Sequence, residues 1–159
     1  MLRMNQAHMA LSLCFAALAG CAPKHDGAAE VAAASSCLAA KPALEVMDHF
    51  MTAFNAKDMT SLEKTFHFPH IRISMYPLKV LNGPGEQEDV FASLADENWA
   101  RSAWIERKIV QCDPSKAHVL ATFARYHSDG KEYARYDGLY IIELRDGFWG
   151  VTARSTFAP

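Results

Sequence analysis

Apolar residues at Leu44, Met47, Phe50, Met51 and Phe54 recur every three or four positions, which puts them on one stripe of a helix. Pro42 suits the first turn of that helix, where a backbone N–H lacks a partner in any case. Asn55-Ala56-Lys57 breaks the pattern. Asp58 then predicts an N-cap for a second, short helix over Met59–Phe66, with Leu62 and Phe66 facing inward and Phe68-Pro69 ending it. His70–Tyr76 alternates as a strand does. Asn82-Gly83-Pro84-Gly85 is a turn, and Glu86–Trp99 predicts a third helix with Val90, Phe91 and Leu94 as its apolar side. Glu86, Glu88 and Asp89 crowd the start of that helix, where negative charge is favoured.

From Ser102 onward the period switches to two. Four strands are expected, at about 102–112, 117–127, 132–144 and 148–157, separated by Asp113-Pro114-Ser115-Lys116, Ser128-Asp129-Gly130 and Asp146-Gly147. Asp-Gly between alternating runs is a strong hairpin signal. If Asp129-Gly130 and Asp146-Gly147 are two-residue loops, Phe123 faces Tyr136, Tyr140 faces Ala153, and Ile142 faces Val151. One sheet face then carries Trp104, Val119, Phe123, Tyr136, Tyr140, Ile142, Val151, Ala153 and Phe157, and should meet the helices. The other carries Arg107, Thr122, Asp137, Glu143 and Arg154, with Asp137 and Arg154 as diagonal neighbours within reach of a salt bridge. A one-residue slip would exchange the faces. Three helices before a meander of long strands define an α+β domain with a curved antiparallel sheet.

The 159 residues carry 16 basic and 18 acidic side chains, and no basic run or face stands out, so nucleic acid is not an expected partner. The N-terminus adds a location. Arg3 precedes an apolar run, Met9 to Gly20, of about 12 residues, whereas a spanning helix needs roughly 20. Leu18-Ala19-Gly20-Cys21 closes the run and resembles the lipobox of bacterial lipoproteins. That resemblance implies a signal peptide over 1–20, lipidation of Cys21, and membrane anchorage through it. With Ala22 rather than Asp next in line, it favours the periplasmic side of the outer membrane in a cell that has one. The alternatives are an ordinary secretory peptide cut near Ala22 and a chance match. Residues 21–40 hold almost no large apolar groups and read as a flexible spacer, leaving 41–159 as one folded domain. Cys14 falls within the signal, so Cys37 and Cys112 remain in an oxidising setting, either bridged or as two free thiols.

Phe50-Met51-Thr52-Ala53-Phe54-Asn55-Ala56-Lys57-Asp58, followed by Leu62 and Phe66, resembles the start of the nuclear transport factor 2-like superfamily, and Leu144-Arg145-Asp146-Gly147-Phe148-Trp149-Gly150-Val151 resembles its ending. SnoaL-like bacterial proteins are the nearest look. The resemblance covers about residues 42–159 and implies a cone in which three helices pack on the curved sheet. It does not fix an activity, because the superfamily holds isomerases, dehydratases, cyclases, epoxide hydrolases and members without known activity. Where ketosteroid isomerases place two oxyanion donors and a base, this chain has Phe50, Tyr140 and Ser74. Only Tyr140 can donate a hydrogen bond to an oxyanion, and Ser74 has no useful basicity near neutral pH.

Arg125, Tyr136, Tyr140 and Ser155 are polar positions on the apolar sheet face beside Trp104, a composition that suits a cavity for a small apolar or anionic ligand, with Arg125 as a carboxylate clamp. His70, Arg72, Ser74 and Tyr76 share one face of the first strand, and His70 is the candidate for proton transfer, with Tyr140 as its partner, in an isomerase, cyclase or dehydratase. His67-x-x-His70, His118 and His127 do not make a metal-binding spacing, and no cofactor fingerprint or nucleophile motif is present. The expected function is ligand binding or an accessory role, with the enzyme as the alternative and a homodimer through the outer sheet face as a further expectation.

Overall fold

A computed structural model describes residues 37–75, 77–87 and 90–159; the signal segment, Cys21 and most of the spacer lie outside them. Helix α1 (Ala40–Asn55) is followed by α2 (Met59–Glu63), strands β1 (Phe66–Ile73) and β2 (Lys79–Leu81), α3 (Val90–Asp96), and the meander β3 (Arg101–Cys112), β4 (Lys116–Tyr126), β5 (Glu132–Arg145) and β6 (Phe148–Thr156). The six strands form one sheet in the order β2-β1-β6-β5-β4-β3. The sheet is mixed rather than antiparallel, because β1 runs parallel to β6. Between them the chain runs through β2, α3 and the β3–β5 meander, a long connection of the kind that parallel neighbours need and a hairpin cannot supply.

Local chemistry explains the element ends. α1 stops where Lys57 takes a left-handed conformation at φ 56°, and the Asp58 N–H reaches back to the Ala53 carbonyl at 3.0 Å. Asp58 caps α2 by accepting from the Ser61 N–H at 3.0 Å, and that bond lowers its carboxyl pKa. The expected continuation of α2 to Phe66 gives way to strand: Phe66 pairs with Val151, and Pro69 falls where the pairing of β1 with β6 is interrupted, before the β2 pairing starts at His70, so its missing N–H breaks no ladder bond. Asp146 and Gly147, at φ 54° and 83°, form the expected two-residue turn. The β4–β5 loop is one residue longer than expected: Ser128–Gly130 connect the His127–Lys131 pair, and a bulge after Arg125 restores the register so that Phe123 does face Tyr136.

A second bulge changes the site. Ile142 pairs with Val151 as expected, but Ile141 pairs with Ala153, leaving Thr152 unpaired. Tyr140 therefore faces Arg154 and not Ala153, and every residue of β6 beyond Thr152 is on the face opposite to the expected one. Arg154 and Thr156 turn inward; Ala153 and Ser155 turn outward, and Phe157 is 71% exposed. The expected Asp137–Arg154 salt bridge is absent, and exposed Asp137 accepts from Thr122 Oγ1 at 2.6 Å instead. The same happens in β3, where Ile105 is the extra residue. Arg107 turns in toward α1, donating to the Leu44 carbonyl at 3.0 Å and to Asp48 Oδ1 at 2.7 Å.

The core lies between α1 and the concave face of the sheet. Phe50 is its hub, with ring centroids 6.0–6.3 Å from Phe54, Phe66, Trp104 and Tyr140. Met47, Leu62, Val119, Ile142 and Val151 close it. Cys37 and Cys112 are bridged, with Cα atoms 6.3 Å apart, which ties the start of α1 to the end of β3. No helix among the described residues is long and apolar enough to cross a membrane.

Candidate functional site

At the end of α1 away from the disulfide, the packing opens into a cavity of ≈ 40 Å³, counted as space open to the centre of a water molecule. A water needs about 10–15 Å³ on that measure, so the cavity admits a small head group rather than a polycyclic molecule. Phe50, Met51, Phe54, Trp104 and Phe123 make its apolar wall. Its polar lining is Tyr140, Arg72, Arg125 and Arg154 with Ser102 and Thr156, and no Asp or Glu lines it among the described residues.

The three arginines differ in how they are neutralised. Arg125, 4% exposed, donates to Glu97 Oε2 at 2.9 Å and stacks its guanidinium 5.0 Å from the Tyr136 ring. Arg72 donates to the Pro159 carbonyl at 3.4 Å. Arg154 has no carboxylate partner among the described residues: its guanidinium lies 5.3 Å from the Phe50 ring and 5.9 Å from Phe66, and its buried Nε–H has no acceptor there. Burial, with Arg72 nearby, pulls the Arg154 guanidinium down to about 10, while Tyr140 opposes the shift, so it remains charged at neutral pH. Tyr140 is 2% exposed, and burial raises its phenol, which stays protonated and able to donate. Arg154 and Tyr140 are cross-strand partners on the concave face, which aims a cation and a hydroxyl donor at one space.

Of the expected site residues, Tyr140, Trp104 and Arg125 line the cavity. Tyr136 sits behind Arg125 rather than in the lining, Ser155 faces the other side of the sheet, and Ser74 lies just past β1 outside the cavity. His70 is in the core: it is 0% exposed, stacked on Phe66 at 4.1 Å, and its Nδ1 lies 2.9 Å from the Val151 carbonyl. A carbonyl only accepts, so Nδ1 carries the proton and Nε2 is a bare, unpartnered nitrogen. Burial first, then the charges of Arg154 and Arg72, hold its pKa down at about 3. His70 thus satisfies the Val151 carbonyl beside the β6 bulge and does not reach the cavity. His67 bonds the Glu143 carbonyl at 3.0 Å, and no group of three His, Cys, Asp or Glu among the described residues is placed to hold a metal ion.

A family model described as NTF2-like protein (DUF6841) matches residues 41–157. The chain is an NTF2-like protein. Solved structures agree on the fold. A Nostoc punctiforme protein of unknown function with a cystatin-like fold superposes with a TM-score of 0.63 at 13% identity, covering 74% of this chain and 89% of its own. A ketosteroid isomerase-like protein from Erwinia carotovora atroseptica superposes at 0.57 with 22% identity, covering 75% and 96%. An NTF2-like protein from Cytophaga hutchinsonii gives 0.55 at 19% identity, covering 73% and 94%. No curated protein matches the chain. At these identities the likeness shows the NTF2-like cone and nothing about its chemistry.

Proposed function

We propose that this NTF2-like domain binds a small anion, a short monocarboxylate in its simplest form, with Arg154 and Tyr140 as the donors to the anionic group. The observation that carries the reading is the charged Arg154 side chain facing the cavity with no carboxylate among the described residues to balance it. A sheltered cation without a counter-charge is unfavourable in itself, and an anion in the cavity relieves it. Phe50, Phe54 and Trp104 suit a short apolar tail. The lipobox-like Leu18-Ala19-Gly20-Cys21 and the Cys37–Cys112 bridge support an exported, lipid-anchored setting in the cell envelope. The enzyme reading needs a base within reach of the ligand, and His70 is enclosed and neutral while Phe50 and Ser74 supply none. Calorimetric titration of the full chain in detergent with acetate, butyrate and hexanoate tests the proposal. Saturable binding that is lost in Arg154→Met is the expected result; no binding of any of the three, or binding indifferent to Arg154→Met, overturns it.

A further inference from the structure

Arg125 also lines the cavity, yet its charge is already balanced. Glu97 Oε2 accepts from Arg125 at 2.9 Å and from the Tyr133 hydroxyl at 2.9 Å. Glu97 is placed by the backbone as much as by these bonds. The chain after α3 turns at Asn98, which has φ 54°, and is strapped to the β4–β5 hairpin by His127 Nδ1 on the Asn98 carbonyl at 3.0 Å and by the Ala100 N–H on the Tyr126 carbonyl at 2.9 Å. Tyr133 is braced in turn by stacking on His127 at 4.3 Å. Of the three guanidiniums on this cavity, Arg125 therefore has a resident carboxylate and Arg154 has none among the described residues.

We propose that Glu97 is a specificity determinant of the cavity: its carboxylate occupies Arg125 as a built-in counter-anion, so the site takes ligands with one carboxylate and turns away those with a second. The inference rests on the anion-binding reading of the same cavity. A dicarboxylate whose first group meets Arg154 brings its second toward the Arg125 side, where it must face Glu97 or displace it from two hydrogen bonds. A charge-assisted hydrogen bond regained or forfeited there corresponds to about tenfold or more in affinity.

The test is a comparison of butyrate and succinate, which have the same four-carbon length, on the full chain in detergent as wild type, Glu97→Gln and the double variant Glu97→Gln/Arg125→Gln. Expected is a preference for butyrate of about tenfold or more in wild type, narrowed at least about tenfold by Glu97→Gln and restored in the double variant. Circular dichroism checks the fold. Should Glu97→Gln not fold, Tyr133→Phe removes one of the two bonds that pin Glu97, and a narrowing of about threefold is expected there. Wild type that binds butyrate, with a ratio that neither variant changes, overturns this inference alone. Wild type that binds neither acid overturns the binding reading, and this inference with it.

Discussion

Replacing Arg154 by methionine separates binding from folding, because the two should move in opposite directions. The charged guanidinium is disfavoured in the fold: a displacement from 12.5 to about 10 corresponds, at about 1.4 kcal/mol per pH unit, to roughly 3 kcal/mol. Its position 5.3 Å from Phe50 and 5.9 Å from Phe66 returns about 1–2 kcal/mol. No ion pair with a described residue is lost, and methionine refills much of the volume against the same rings. The net expectation is a gain of about 1–2 kcal/mol, seen as a Tm about 3–6 °C higher in thermal denaturation. Losing the charge-assisted bonds to an anion in a sheltered cavity should weaken binding by about 2 kcal/mol or more, about thirtyfold. Denaturation and calorimetry on the same preparations give both numbers. A Tm that falls by several degrees would instead make Arg154 part of what holds the cone together.

His70 should make acid destabilising. Between its ordinary 6.5 and its folded value of about 3, the unfolded chain binds a proton that the folded chain does not, so stability rises with pH across that window and is lost as pH falls, by about 1.4 kcal/mol per unit. His70→Gln should remove that share of the slope, measured by urea denaturation from pH 6.5 to 3.5; identical slopes would place His70 in contact with water. The Cys37–Cys112 bridge spans a sequence separation of 75, and loop entropy assigns it about 4 kcal/mol, so the double serine variant should melt well below wild type, and an unchanged Tm would show that the bridge constrains nothing. Gly138→Ala puts a Cβ 2.9 Å from the Ser155 carbonyl oxygen and from Thr156 Cγ2, and about 1–3 kcal/mol of destabilisation is expected by chemical denaturation; a neutral effect would contradict the close approach of β5 and β6.

Most of the fold was legible in the chain because its signals are local. The stripe from Leu44 to Phe54, the Asp58 cap and the Asp146-Gly147 turn each specify their element without help from distant residues. The parallel pairing of β1 with β6 was not legible, since the alternation in His70–Tyr76 does not name a partner. The site was read only in part, for one reason: alternation locates a face only while large apolar residues mark the phase. Beyond Val151 the sequence is Thr, Ala, Arg, Ser, Thr, in which no large apolar residue reveals the bulge at Thr152 that turns Arg154 inward and Ser155 outward. In β3 a signal was present. The adjacent apolar pairs Trp104-Ile105 and Ile109-Val110 cannot both face the core in a regular strand, and the register shifts fall at those pairs. Glu97 lay in a segment read as helix, and its pairing with Arg125 depends on the turn at Asn98, which no periodicity reports.

Anion binding by the cross-strand pair Tyr140 and Arg154 would be seen in a crystal structure of the protein grown with butyrate. The carboxylate is expected within hydrogen-bonding distance of the Arg154 guanidinium and the Tyr140 hydroxyl, with the Glu97–Arg125 pair intact. An Arg154 guanidinium turned away from the cavity, or paired with a carboxylate of the protein itself, would contradict anion binding by this pair.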